Sequence, residues 1–255
     1  MKQLLSVSRD AKTIKVEKAL VGDDTVTQDG YLTAILYLAP HILSGLNVCP
    51  HATPGCIKGC LNTAGRGTMN VVQRGRLRKT KLFRESRDAF VSQLRKEIHA
   101  LIRKAKRENL IPLVRLNGTS DLPWEAIIDM SEFQGLCLFY DYTKSFSRMV
   151  SYISGQTDSG KPWPKNYLLI FSLAETNAVE ATMVLKHGGP VAAVFRTEDM
   201  IPDTWLGYPV VSGDRHDARV EDAYGCVVAL YAKGDAKHDT TGFVQDAYLV
   251  DWVKQ

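Results

Sequence analysis

What most constrains the fold of this chain is a rhythm of short apolar runs. They stand at residues 31–40, 111–116, 136–140, 167–171, 191–195, 209–211 and 226–231. Helical or loop-like patterns separate the later ones, at 124–130, 143–153, 174–187 and, shorter and more polar, around 197–203. Strands that alternate with helices build βα units and a parallel sheet. A run that is apolar on both faces suits a strand covered on both sides. About seven such strands, with no GxGxxG or Walker glycine pattern after any of them, point to an α/β fold, a full or partial (β/α) TIM-like barrel.

The best helical pattern lies at 86–109, where Phe90, Val91, Leu94, Ile98, Leu101, Ile102 and Ala105 recur at three-to-four spacing. A length of 255 residues, 45% of them hydrophobic, is enough for a full core. The expectation is one α/β-barrel domain over 1–255. Residues 1–30 would be a polar N-terminal extension whose VGDDTVTQDG reads as a loop. Residues 241–255, with Val244, Tyr248, Leu249 and Trp252 at helical spacing, would close the fold as a short helix.

The first strand runs directly into NVCPHATPGCIKGCLNTAGRG, which places Cys49, Cys56 and Cys60, three of the five cysteines, within twelve residues. Gly or Pro stands beside each and keeps the backbone in open turns. No apolar stretch of signal-peptide type begins the chain, so a reducing cytoplasm is expected, where clustered cysteines indicate metal chemistry rather than disulfides. Structural zinc takes four closed ligands, commonly as CxxC pairs, and no CxxC occurs; His51 would complete a zinc site only through a cramped Cys-Pro-His turn. Iron–sulfur clusters tolerate wider spacing because the cluster spans the gaps. Three thiolates therefore suggest a 4Fe–4S cluster with one iron left for a small molecule, solvent or a distant residue. Cys137 and Cys226 sit in apolar strands and read as core residues, with either as a fourth ligand if it faces the barrel mouth.

In α/β barrels the loops at the carboxyl ends of the strands assemble the site. Those loops supply Asn117, Asp121, Asp141, Lys144, Glu175, Asn177, Arg196 and Asp214, the candidate cofactor-binding residues. Seven Lys or Arg against one acid fill 72–87: Arg74, Arg76, Arg78, Lys79, Lys81, Arg84 and Arg87. Such a run contacts nucleic acid or forms a solvated loop and helix start, and the net charge of +4 with Phe83 as the one interleaved aromatic favours the latter. No run of eighteen apolar residues exists, so no membrane helix is expected.

The segments LYLAP, SGLNVCP, GCIKGCLNTAGRG, RKTKLF, RLNGTSD, FYDYTKS and YAKG resemble a phage-encoded family, the gene product 88 type, over nearly the whole chain. The resemblance implies a viral protein of the host cytoplasm and a cluster site on Cys49, Cys56 and Cys60. That family is similar in layout to radical S-adenosylmethionine enzymes, which implies S-adenosylmethionine at the open iron. The spacing here is CxxxxxxCxxxC rather than CxxxCxxC, and NGTSD stands where a GGE-type motif would follow the second strand. The alternative is a non-catalytic cluster or zinc protein that contacts nucleic acid or host protein through its basic segment.

Overall fold

Ten strands form one sheet in the computed structural model, which describes residues 2–7 and 30–246. They are β1 (Leu5–Ser6), β2 (Tyr31–Leu36), β3 (Ile111–Arg115), β4 (Leu138–Thr143), β5 (Tyr167–Ser172), β6 (Val191–Phe195), β7 (Thr204–Trp205), β8 (Tyr208–Ser212), β9 (Val227–Tyr231) and β10 (Val244–Gln245). The path runs β1-β2-β3-β4-β5-β6-β9-β8-β7, with β10 also on β6. All pairings are parallel except those of β1 with β2 and β7 with β8. The fold is α/β with a mostly parallel sheet, and this sheet is not closed among the described residues.

The α-helices are α1 (Pro54–Lys58), α2 (Asn70–Glu85), α3 (Arg87–Arg107), α4 (Trp124–Ile127), α5 (Phe146–Ser154) and α6 (Ala178–Lys186). Strands β2 to β6 are neighbours in chain order, so right-handed crossovers place their helices on a single face. There Phe90, Leu94 and Ile98 of α3, Met149 of α5 and Val184 of α6 bury against Leu32, Val114, Phe139, Leu169 and Ala193 of the strands. Tyr31, Leu113, Tyr140, Ile170, Ala192 and Val228 alternate to the opposite face, where they pack with Ala218 and Val220.

The amino half of β6 pairs with β5 through Phe171↔Val191, while its carboxyl half pairs with β10 through Val244↔Val194. Since β9 follows the whole of β6, β10 must share the β5 edge. It therefore takes over that edge of β6 beyond Ser172, where β5 ends.

Three expectations are corrected. The basic run is helical throughout rather than a loop leading into a helix, with Arg74 to Arg84 in α2 and Arg87 opening α3; the buried side of α2 is Arg76, Lys79, Thr80 and Phe83, so no apolar stripe announces it. The pattern at 124–130 divides into α4 and a 3₁₀ turn at Met130–Phe133. The closing helix over 241–255 begins instead with β10, and Tyr248, Leu249 and Trp252 lie outside the described residues. Within the N-terminal extension, Leu5–Ser6 pairs antiparallel with β2 through Leu5↔Leu36; most of the expected VGDDTVTQDG loop lies outside the described residues.

Candidate functional site

The chain leaving the carboxyl end of β2 is held by the loop after β3. Gly118 N donates to Leu36 O at 3.0 Å, Thr119 Oγ1 to Leu38 O at 2.6 Å and Asp121 N to Val48 O at 2.8 Å. A Cβ on Gly118 would stand 2.6 Å from Ile35 Cγ2 and 2.7 Å from Leu36 O, so this approach requires glycine. Cys49 is fixed there. Its Sγ accepts from His41 N at 3.3 Å and lies 3.7 Å from Thr119 O.

Four residues later the loop starts α1, with Thr53 as N-cap and Pro54 in its first turn. Thr53 Oγ1 accepts from Cys56 N at 3.3 Å and donates to Glu175 Oε2 at 2.7 Å; Glu175 Oε1 accepts from Gly55 N at 2.7 Å. A carboxylate from the loop after β5 thus clasps the amino end of α1. On its other side α1 meets the segment that leads into β10. A Cβ on Gly55 would lie 2.2 Å from Thr241 Oγ1 and 2.6 Å from Phe243 Cβ, and one on Gly59 3.1 Å from Ala236 Cβ. Cys56 packs against the small cluster of Ala174, Ala232, Ala236, Phe243 and Val244. Cys60 caps the next 3₁₀ turn (Leu61–Thr63), its Sγ accepting from Asn62 N at 3.5 Å.

The three thiols are partly exposed and lie close enough to act on one another electrostatically. Burial pushes Cys49 up to about 12, and charge on Cys60 and Cys56 pushes the same way against the His41 N–H. Cys60 is also raised by burial; the Asn62 N–H oppose this, as do the cations of Arg76 and Lys144. Arg76 is buried, bonded to Asn62 Oδ1 and stacked 5.1 Å over the Tyr37 ring. Lys144 Nζ donates to Ser172 Oγ at 2.8 Å and stands 5.4 Å from the centroid of Phe243. Its backbone N donates to Asp121 Oδ2 at 2.8 Å, and Asp121 in turn acts electrostatically on Cys49.

Asp121, Lys144 and Glu175 therefore gather around the cysteine loop. The other candidates are engaged elsewhere. Asn117 is buried, with Oδ1 accepting from Ser120 Oγ, Leu122 N and Trp124 Nε1. Asp141 lies beneath it, bound to Asn117 N at 2.6 Å and Tyr167 OH at 2.7 Å; burial raises its carboxyl to about 7. Asn177 closes its own turn through Ala174 N and Ser172 O. Arg196 pairs with Asp246 at 2.6 Å, and Asp214 with Lys233 at 2.7 Å. Cys137 and Cys226 are buried one residue before β4 and β9. They stand at the amino ends of parallel strands, opposite the loop, which removes both as fourth ligands. His51 is an exposed residue within the loop.

Arg76, Thr53 and Phe243 belong to the site although the sequence did not single them out for it. Arg76 was hidden among seven cations, Thr53 is recognisable as an N-cap before Pro54, and Phe243 is distant in the chain. No group of three or more His, Cys, Asp or Glu side chains is gathered to hold a metal ion among the described residues. Residues 5–247 match a family model described as gene product 88. No curated protein and no solved structure matches the chain.

Proposed function

The chain belongs to the gene product 88 family, and we propose that its cysteine loop holds a 4Fe–4S cluster on Cys49, Cys56 and Cys60 with one iron open to a small molecule. The observation that carries this reading is that three partly exposed thiols on one loop lie within range of one another's charge, with N–H donors on the Cys49 and Cys60 sulfurs and the cations of Arg76 and Lys144 near Cys60. Thiolates crowded on one loop repel one another, and a positively charged centre relieves that repulsion. The spacing supports a cluster over a single ion, since the cluster's own width bridges ligands that do not meet at one point. Hydrogen bonds to the sulfurs and nearby cations shift a cluster's potential, which gives His41 N, Asn62 N, Arg76 and Lys144 a tuning role.

In this reading the loop lies at the mouth of a partial barrel, as a redox centre of radical S-adenosylmethionine-like layout. The bound cluster would supply electron transfer and a Lewis-acidic iron. The chain's own contribution is to hold and wall that group: Glu175 fixes α1, Phe243 packs against Cys56 with Lys144 beside its ring, and Asp121 positions the Lys144 backbone. Anaerobic purification with iron and sulfide analysis tests the reading. The expected result is about four of each per chain, lost in Cys56→Ser and kept in Cys137→Ser. A colourless protein with one zinc overturns it. If the cluster is present, a change in its EPR signal with S-adenosylmethionine tests that ligand separately.

Charge favours a second reading. Residues 30–84 contain eight Lys or Arg and no Asp or Glu, and Lys58, Arg66, Arg74, Arg78, Lys81 and Arg84 are exposed. A non-catalytic cluster or zinc protein would use this face to contact nucleic acid or an acidic host protein. Binding to duplex DNA that weakens steeply with salt supports it; a salt-independent or absent signal removes the nucleic-acid version.

A further inference from the structure

Arg115 is the last residue of β3 and alternates with Leu113 onto the sheet face opposite the helices. On that face Leu113, Tyr140 and Ile170 are buried, while Arg115, Tyr142 and Ser172, two residues further along the same strands, are half-buried. The face thus has a closed floor and an accessible row above it. That row lies at the carboxyl ends of the strands, the end that also carries the cysteine loop.

Arg115 differs from the other arginines that are not exposed. Arg76 bonds to Asn62 Oδ1, Arg148 pairs with Asp121 and Glu125, Arg196 with Asp246 and Arg219 with Asp222. Arg115 makes no ion pair and no hydrogen bond among the described residues, and Asp217 acts on it electrostatically without closing to an ion pair. Its contacts are aromatic: the guanidinium carbon stands 4.6 Å from the ring centroid of Tyr142 and 6.0 Å from that of Tyr140. Nε is enclosed without an acceptor, whereas Nη1 and Nη2 are unbonded and keep accessible surface.

Stacking on a phenol occupies the face of a guanidinium and leaves its N–H donors, which lie in the plane, for an acceptor. A partly desolvated cation with no counter-charge in contact is costly, and a pair of carboxylate or phosphate oxygens matches the Nη edge bidentately. Lys144, bonded to Ser172 Oγ, and Arg76, stacked on Tyr37, add further positive charge without a paired carboxylate at the same end of the sheet. We propose that Arg115 binds the carboxylate or phosphate group of a small molecule there, with its Nη edge as the contact and Tyr142 as the wall. Arg115 is no part of the cysteine loop, so the site stands or falls independently of the cluster.

Isothermal titration of the whole protein with inorganic phosphate and with succinate, at constant ionic strength in chloride, tests this. One saturable site per chain is expected, and the tighter of the two anions identifies the acidic group of the ligand. Arg115→Lys keeps the charge but not the fork and should weaken that binding about tenfold or more; Arg115→Met should abolish it. Arg74→Lys, on the exposed side of α2, should leave it unchanged. Phenylglyoxal labelling reads the wild type without any substitution: the bound anion should slow modification of Arg115 and not of Arg74. No saturable site for either anion, undiminished binding in the Arg115 variants, an equal loss in Arg74→Lys, or an Arg115 labelling rate that neither anion changes would overturn the assignment.

Discussion

Removing the Glu175 carboxylate tests how the cysteine loop is held. Its two oxygens take the Gly55 N–H and the Thr53 hydroxyl at 2.7 Å each, and Thr53 passes the constraint to Cys56 N. Hydrogen bonds to a charged group contribute about 1.5–3 kcal/mol apiece. Glu175 is partly exposed, so water recovers some of both in Glu175→Ala, and the expected loss is about 2–4 kcal/mol of local order. Glu175→Gln keeps one acceptor for Gly55 N and a polar contact to Thr53, with an expected loss of about 1 kcal/mol. Because partners that orient metal ligands change affinity by about 10–100-fold when removed, the Ala variant reconstituted with the proposed cluster should lose iron to a chelator at least tenfold faster than wild type treated in the same way. The Gln variant should fall between the two. Iron release followed by absorbance gives the rates, and amide exchange at residues 53–60 reads the loop without metal. Equal release and equal exchange in wild type and Glu175→Ala would refute the clasp.

Other perturbations have equally definite outcomes. The Asp141 carboxyl, raised by burial to about 7 from an ordinary value near 3.8, stays protonated in the folded state while the unfolded chain ionises. Stability should therefore fall as pH rises from about 4 to about 7, by about 4 kcal/mol at most, and Asp141→Asn should flatten that slope in urea titrations at several pH values. A wild type that gains stability across this window would contradict the assignment. Gly55→Ala places a methyl 2.2 Å from Thr241 Oγ1 and should lower the unfolding free energy by about 1–3 kcal/mol; calorimetry that finds no change would mean residues 241–243 yield freely. Arg148 is buried and pairs with Asp121 at 3.1 Å and Glu125 at 2.7 Å. Its replacement by Met should cost about 3–5 kcal/mol in denaturant titrations, because two carboxylates lose their cation.

The parallel sheet was legible because β3, β5 and β6 are short, apolar on both faces and bounded by polar loops, a pattern that survives whatever packs on them. Helix α3 was legible through its stripe from Phe90 to Ala105. Helix α2 was not, since beside Phe83 the side it buries is made of Arg76, Lys79 and Thr80, whose stems and hydrogen bonds do what leucines do elsewhere. Within the site, the cysteines and the strand-end residues Asp121, Lys144 and Glu175 could be picked out by position. What each does could not. Whether a strand-end carboxylate meets a ligand or a backbone N–H depends on loop geometry, and Asn117, Asn177 and Arg196 are spent on that geometry. The change of partner along β6 left no trace in β5 or β6, because the strand that follows β5 on that edge comes from residues near 244.

That late-arriving strand bears on the order of events during synthesis. Cys49, Cys56 and Cys60 leave the ribosome long before Ala236, Thr241 and Phe243, the residues against which Gly55 and Gly59 pack. Until then the loop has its Thr119 and Asp121 contacts but lacks one wall. The nascent chain thus has an interval in which the three thiols lack the wall that residues 236–243 later supply. Arrival of β10 ends the interval by steric closure alone.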